Sequence, residues 1–197
     1  HVDLLTINSS KIYGPKGVGA LFVRRGVKIT SIQFGGEQEK RLRPGTENTA
    51  GIAGFAKAVE LSLECQKKEV KRLTKLRDYF IKHVLKQIPN ARLNGHPKDR
   101  LPNNVNISFL GVEGEALLLY LDAQGIFASS GSACTSQKLD PSHVIMALGV
   151  SHIVAHGSLR FTLGRWTKKK DLKFVLEVLP EIVTLLRSMS PINVDKS

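Results

Sequence analysis

From Ile52 to Val84 apolar side chains return every three to four residues, at Ile52, Phe55, Val59 and Leu63 and then at Val70, Leu73, Leu76, Phe80 and Val84. That is the period of one helical face. The spacing predicts one long or kinked helix, long enough to bridge two domains, and the remaining elements must be arranged around it. Upstream the pattern is of strands. "VDLLTI" (2–7) is a short apolar run of buried-strand type, and "GVGALFVRR" (17–25) is a second strand, reached through the turn "YGPKG". Between them and the helix lies a polar stretch rich in Gly and Arg, "FGGEQEKRLRPGTENT" (34–49). Loops of that length usually serve a function or lack order.

Downstream the chain alternates. "NNVNISFL" reads as a strand, "GVEGEALLLYLDAQG" as a helix closing at Gly125, and "IFAS" as a strand. "LDPSHVIMALG" has Asp140 placed as N-cap, Pro141 at the first helical position and Gly149 past the end. "SLRFTLG" is a strand, and a last helix runs from about Thr167 to Arg187, with Pro180 expected to kink it. Lys168, Lys169 and Lys170 at its start oppose the helix dipole, which local structure does not explain. Strands alternating with helices make the fold class α/β.

Composition narrows the function. The 197 residues suffice for one large or two small domains, and 42% are hydrophobic. No apolar run is long enough to cross a membrane. The chain opens without a signal peptide and straight into a strand pattern, as the interior of a longer protein would. Its two cysteines, Cys65 and Cys134, make neither a disulfide framework nor a metal cluster. They suit a reducing compartment, and a cytoplasmic location is expected. The net charge of +12 favours acidic partners or anionic cofactors. "KKEVKRLTKLR" has the look of a solvated helical face, and without a recognisable reading motif nucleic-acid binding is not expected.

Four places carry chemistry. Lys11 sits where a strand gives way to a Gly-rich turn. Partial desolvation there would make its amine a nucleophile for a carbonyl, although position alone reads it as one of many surface lysines. In "RLRPGTENT", Gly45, Thr46 and the following N–H groups could hold an anion, or the segment could simply cap the next helix through Thr46 or Asn48. Cys134, in the small-residue loop "ASSGSACTS", is a mobile thiol nucleophile or a chance exposed cysteine. Arg160, inside an apolar strand, wants a carboxylate, either from a ligand or from a structural salt bridge.

"KIYGPKGVGALFVRR", "GGEQEKRLRPGTENTAGIAGFAKA", "LPNNVNISFLGVEGEALLLYLD", "SSGSACTS" and "SLRFTLGRWT" occur in that order over nearly the whole chain. Together they closely resemble the C-terminal half of the NifS/IscS-type cysteine desulfurases. These are class V aminotransferase-like enzymes of the fold-type I pyridoxal phosphate (PLP) group. The resemblance implies the C-terminal part of the large domain in residues 1–50 and the small α/β domain in 51–197. It implies PLP held by Lys11 with Asn8, Ser10 and Thr46, the last reaching the cofactor phosphate across a homodimer interface. Arg160 would bind the substrate carboxylate, and Cys134 would take sulfur from L-cysteine. The sulfur would then pass to an acceptor protein, an iron–sulfur scaffold or a thiolation carrier. The family usually has Ser-x-His-Lys where this chain has Asn8, Ser9, Ser10 and Lys11. The family's phosphate loop, ring-stacking histidine and ring-nitrogen aspartate are not expected in these residues, so the chain by itself should be inactive, and residues 1–50 should depend on outside partners for their order. A selenocysteine lyase of the same superfamily, and a non-catalytic basic binding or dimerisation module, are the alternatives.

Overall fold

A computed structural model describes residues 1–130 and 141–190. The chain divides into two compact units, His1–Lys67 and Lys68–Ser197.

In the first unit, β1 (Leu4–Asn8) pairs antiparallel with β2 (Gly19–Val23), with Leu5 opposite Phe22 and Ile7 opposite Ala20. Side chains alternate between the faces of a strand. Leu5 (49% exposed) and Phe22 (54%) open one face, and Leu4 (48%) and Leu21 (53%) open the other. The run that reads as a buried strand therefore finds no cover among the described residues. Residues 24–48 hold no strand, only a single 3-10 turn at Gln38–Arg41. Helix α1 (Thr49–Gln87) then begins, its first turn capped by Asn48, whose Oδ1 accepts the Gly51 N–H at 3.0 Å. The predicted long helix is one continuous element, and the boundary between the units falls within it.

The second unit contains the main core. Strands β3 (Ala91–Leu93), β4 (Asn104–Phe109) and β5 (Ser158–Thr162) form an antiparallel sheet in that order. Val105, Ile107 and Phe109, alternating along β4, are fully buried. They share one cluster with Phe80, Val84 and Ile88 at the end of α1, with Leu117 and Leu121 of α2 (Gly114–Ala123), and with the buried stripe of α5 (Lys169–Met189). Phe80 meets Phe161 edge-on, with ring centroids 5.2 Å apart at 77°. A smaller cluster of Ile145, Val150 and Ala155 joins the short helices α3 (His143–Met146) and α4 (His152–His156). Among the described residues no helix is long and apolar enough to cross a membrane, and no group of His, Cys, Asp and Glu side chains is placed to hold a metal.

Several expectations need correction. "IFAS" is not a strand: only Ser129 bridges to the sheet, opposite Arg160. Helix α3 begins at His143 after Ser142, whose ψ of 119° is extended, so Pro141 lies before the helix; Asp140 lies outside the described residues. β3 falls in a stretch that reads as a connector, and α4 is a single turn without a periodic pattern to announce it. The basic segment 67–77 is not wholly a solvated face. Arg77 is 4% exposed, and its Nη1 donates to the carbonyls of Arg100 (3.0 Å) and Leu101 (3.1 Å). Arg72 donates to the carbonyls of Gly164, Arg165 and Thr167 at 2.7–3.0 Å, and also to Glu69. At the start of α5, the Asp171 carboxylate accepts the Lys168 N–H at 2.8 Å, which satisfies one donor that the neighbouring lysines leave open.

Two outcomes follow for stability. Phe80→Ala should cost about 3–5 kcal/mol in urea unfolding, because the cavity is lined on every side by buried side chains. Glu69 is held below the usual carboxylate range, first by its hydrogen bond from Arg72 and then by the charges of Arg72, Arg165 and Lys68. A carboxylate with a depressed native pKa contributes stability above its unfolded pKa and loses it as pH falls through the native value. Glu69→Gln should therefore lower stability by roughly 0.5–1 kcal/mol at neutral pH. The gap to the wild type should close in acid, which melting curves across pH would record.

Candidate active site

The turn after β1 is built by local hydrogen bonds. Asn8 Oδ1 accepts the Ser10 N–H at 2.9 Å and the Ser10 hydroxyl at 2.8 Å, starting a 3-10 turn over Ser9–Ile12. The Ser9 N–H donates to Val18 O (3.1 Å), and the Gly14 N–H returns to Ser9 O (3.0 Å). Tyr13 closes the turn in the left-handed region at φ 66°. Gly14 must be glycine, since a Cβ there would run into Ser9 Oγ and come within 2.9 Å of Ala58 Cβ. Three of the predicted residues, Asn8, Ser10 and Lys11, are thereby gathered on one turn. Lys11 itself is exposed, so the desolvation that would activate it is not supplied within its unit. Asp3, the nearest acid in sequence, is engaged by Arg24 at 2.8 Å.

Thr46 is exposed and lies three positions before the start of α1 (49 minus 46); the capping role falls to Asn48, which leaves the Thr46 hydroxyl without that duty. Gly45, at φ 101°, donates its N–H to Gln38 Oε1 at 3.1 Å, tying the loop to the 3-10 turn. In that turn Glu39, Lys40 and Arg41 all have positive φ (48°, 58° and 64°). Such a run of non-glycine residues is strained, and strain of this kind gathers at functional loops.

Arg160 lies in the second unit, on β5 opposite Asn106 of β4. It exchanges both main-chain hydrogen bonds with Ser129, at 2.7 and 3.1 Å. Its Nε is buried without a hydrogen-bond partner, and among the described residues it has no ion pair. A buried guanidinium N–H left open costs free energy unless a ligand takes it, and a carboxylate suits that fork. Both readings of Arg160 in the sequence call for a carboxylate, and among the described residues none is paired with it. Cys134 lies outside the described residues; Ser129, five positions before it in sequence, is the residue that bridges to Arg160. Sequence reasoning overlooked Ser129, because one bridging residue has no periodicity. It also overlooked Ser9, fully buried under the Lys11 turn with its hydroxyl unpaired.

Within the first unit, a lysine and two small polar residues on one turn are groups of the kind that hold PLP, and Thr46 is spared from capping. Within the second unit, Arg160 holds an open donor. The Aminotransferase class-V family matches residues 1–175. The chain is 55% identical over 190 residues to cysteine desulfurase IscS of Dictyoglomus turgidum, covering 96% of this chain and 48% of that protein. It is likewise 55% identical over 190 residues to cysteine desulfurase IscS 1 of Archaeoglobus fulgidus, covering 96% and 50%. Among solved structures, a NifS-like protein from Rickettsia africae superposes with a TM-score of 0.81 at 32% identity, covering 93% of this chain and 48% of that one. The chain thus spans about half the length of the curated relatives it matches.

Gly157, between α4 and β5, sets where β5 enters the sheet. A Cβ there would meet the Phe109 carbonyl and lie 2.8 Å from the Val112 carbonyl, and neither backbone atom can turn aside. Gly157→Ala should cost about 1–3 kcal/mol. Weakened amide protection at Ser129 and Arg160 in hydrogen exchange would locate the damage.

Proposed function

Since the chain belongs to the class-V aminotransferase family, with the α/β fold of the C-terminal half of the NifS-like enzymes, we propose that it forms that half of a PLP-dependent cysteine desulfurase. The net reaction is L-cysteine plus the Cys134 thiol giving L-alanine plus a Cys134 persulfide. The observation that carries this reading is the open, buried Nε of Arg160, whose main chain pairs with Ser129, five positions before Cys134 in sequence.

Lys11 would hold the cofactor covalently, with Asn8 and Ser10 beside its phosphate and Thr46 reaching the phosphate from the other subunit of a homodimer. When bound, PLP supplies an electron sink for the bond broken at the substrate Cα. Lys11 would also be the base that removes the Cα proton and the acid that later returns one. Arg160 grips the substrate carboxylate and so orients the Cα–H bond. The Cys134 thiolate attacks the substrate sulfur: a sulfur–sulfur bond forms, the carbon–sulfur bond breaks, and the electron pair leaves with the carbon skeleton. Five residues separate Cys134 from Ser129 (134 minus 129), a reach of at most about 18 Å, and the loop's small side chains suit travel to an acceptor. On this reading residues 1–50 complete the large domain and 51–197 make the small one. The persulfide serves an iron–sulfur scaffold or thiolation carrier in the cytoplasm, and the 197-residue chain alone is inactive.

The test uses the full-length protein. Cys134→Ser should reduce dithiothreitol-dependent sulfide release to background while the visible absorbance of bound cofactor persists. Lys11→Ala should lose both. Arg160→Ala should raise KM for cysteine by about 10- to 150-fold. Normal sulfide release from Cys134→Ser would remove the proposed nucleophile.

A further inference from the structure

We propose that the exposed face formed by α1 beyond residue 68 and the start of α5 docks an acidic face of another protein. Lys68, Lys71 and Lys75 are exposed at three- and four-residue spacing along α1, which aligns them on one side of the helix. Lys168, Lys169, Lys170 and Lys173 are exposed at the start of α5. The two rows belong to one surface. Arg72, between the α1 lysines, donates to Thr167 O at 2.7 Å and Gly164 O at 3.0 Å, and Lys169 Nζ stands 4.6 Å from the centre of the Tyr79 ring.

Nearby carboxylates offset only part of this charge. Glu69 is taken by Arg72 at 2.9 and 3.0 Å, which leaves Asp171 and Glu177 against the lysines of the two rows. Lysines at the N-cap and the first two positions of a helix work against its dipole, so they are placed at a cost to folding. Such a cost is usual for groups kept for binding. Within the same segment Trp166 is 70% exposed and Phe174 is 44% exposed. An aromatic anchor with a charged rim is the usual anatomy of a protein interface. Nucleic acid fits less well. The cations at issue are lysines rather than bidentate arginines, and one tryptophan is not a row of stacking platforms. None of these residues is assigned to cofactor or substrate.

The probes are a labelled helical peptide of Glu and Ala and a single-stranded RNA of equal formal charge. Each is titrated into the 197-residue chain by fluorescence anisotropy at low and physiological salt. Lys168→Gln/Lys169→Gln/Lys170→Gln should weaken the peptide at least about tenfold, with Tm unchanged or raised because the removed charges opposed the dipole. Removing the same charge elsewhere, in Lys16→Gln/Lys28→Gln/Lys98→Gln, should change binding less than about twofold, and Trp166→Ala should weaken the peptide at either salt concentration. Equal loss in the two triple variants would reduce the effect to net charge and overturn the proposal. So would an absence of peptide binding to the wild type, or RNA binding tighter than the peptide and lost in the first triple variant.

Discussion

Two guanidinium groups on one helix hold the second unit's turns in place. Arg72 and Arg77 of α1 reach five carbonyls between them: Gly164, Arg165 and Thr167 ahead of α5, and Arg100 and Leu101 ahead of β4. A carbonyl turned inward without a donor costs as much as a lost hydrogen bond, so these turns need donors that can reach across from a packed helix. Arginine suits the task, because its stem packs against apolar neighbours while its fork serves several acceptors at once. The apolar cluster of Phe80 and Val84 on the same helix, with Ile88 just past its end, can then close against the sheet without leaving the turns unsatisfied.

This arrangement separates what the sequence displays from what it conceals. The apolar stripe from Ile52 to Val84 announces α1 because periodicity is a sum over many residues. The caps do too: Asn48 and Gly125 sit where their chemistry places them. β3 and α4 are too short to have a period, and they exist because β4 and the small Ile145–Val150–Ala155 cluster hold them. The inward turn of Arg72 and Arg77 is concealed for another reason. A basic run on a helix looks the same whether its arginines face water or carbonyls some 25 to 95 residues away in sequence.

The site was legible in a different way. Lys11, Thr46, Cys134 and Arg160 stand out through the order of long motifs rather than through any local physical signal. Position alone makes Lys11 an ordinary lysine, and Arg160 divides evenly between a salt bridge and a ligand. The structure adds what the sequence lacks for Arg160, namely an orphan Nε and a main-chain pairing with Ser129 that ties the arginine to the start of the cysteine loop. It adds the opposite for Lys11, which is well placed on its turn yet exposed.

That contrast shows how a reactive lysine is divided between local and distant structure. Its position is local: the Asn8 cap, the Ser9–Val18 and Gly14–Ser9 hydrogen bonds and the left-handed Tyr13 form the turn from residues close in sequence. Its reactivity is not local, because lowering an amine's pKa requires burial or neighbouring charge. β1 and β2 point to where the burial would come from. Leu4, Leu5, Leu21 and Phe22 leave both faces of the ribbon apolar and open, and a two-stranded ribbon is marginal in water even when one face is covered. The surface that covers those faces would also crowd the turn between the strands. On the proposed reading, ordering of the ribbon and desolvation of Lys11 would therefore go together.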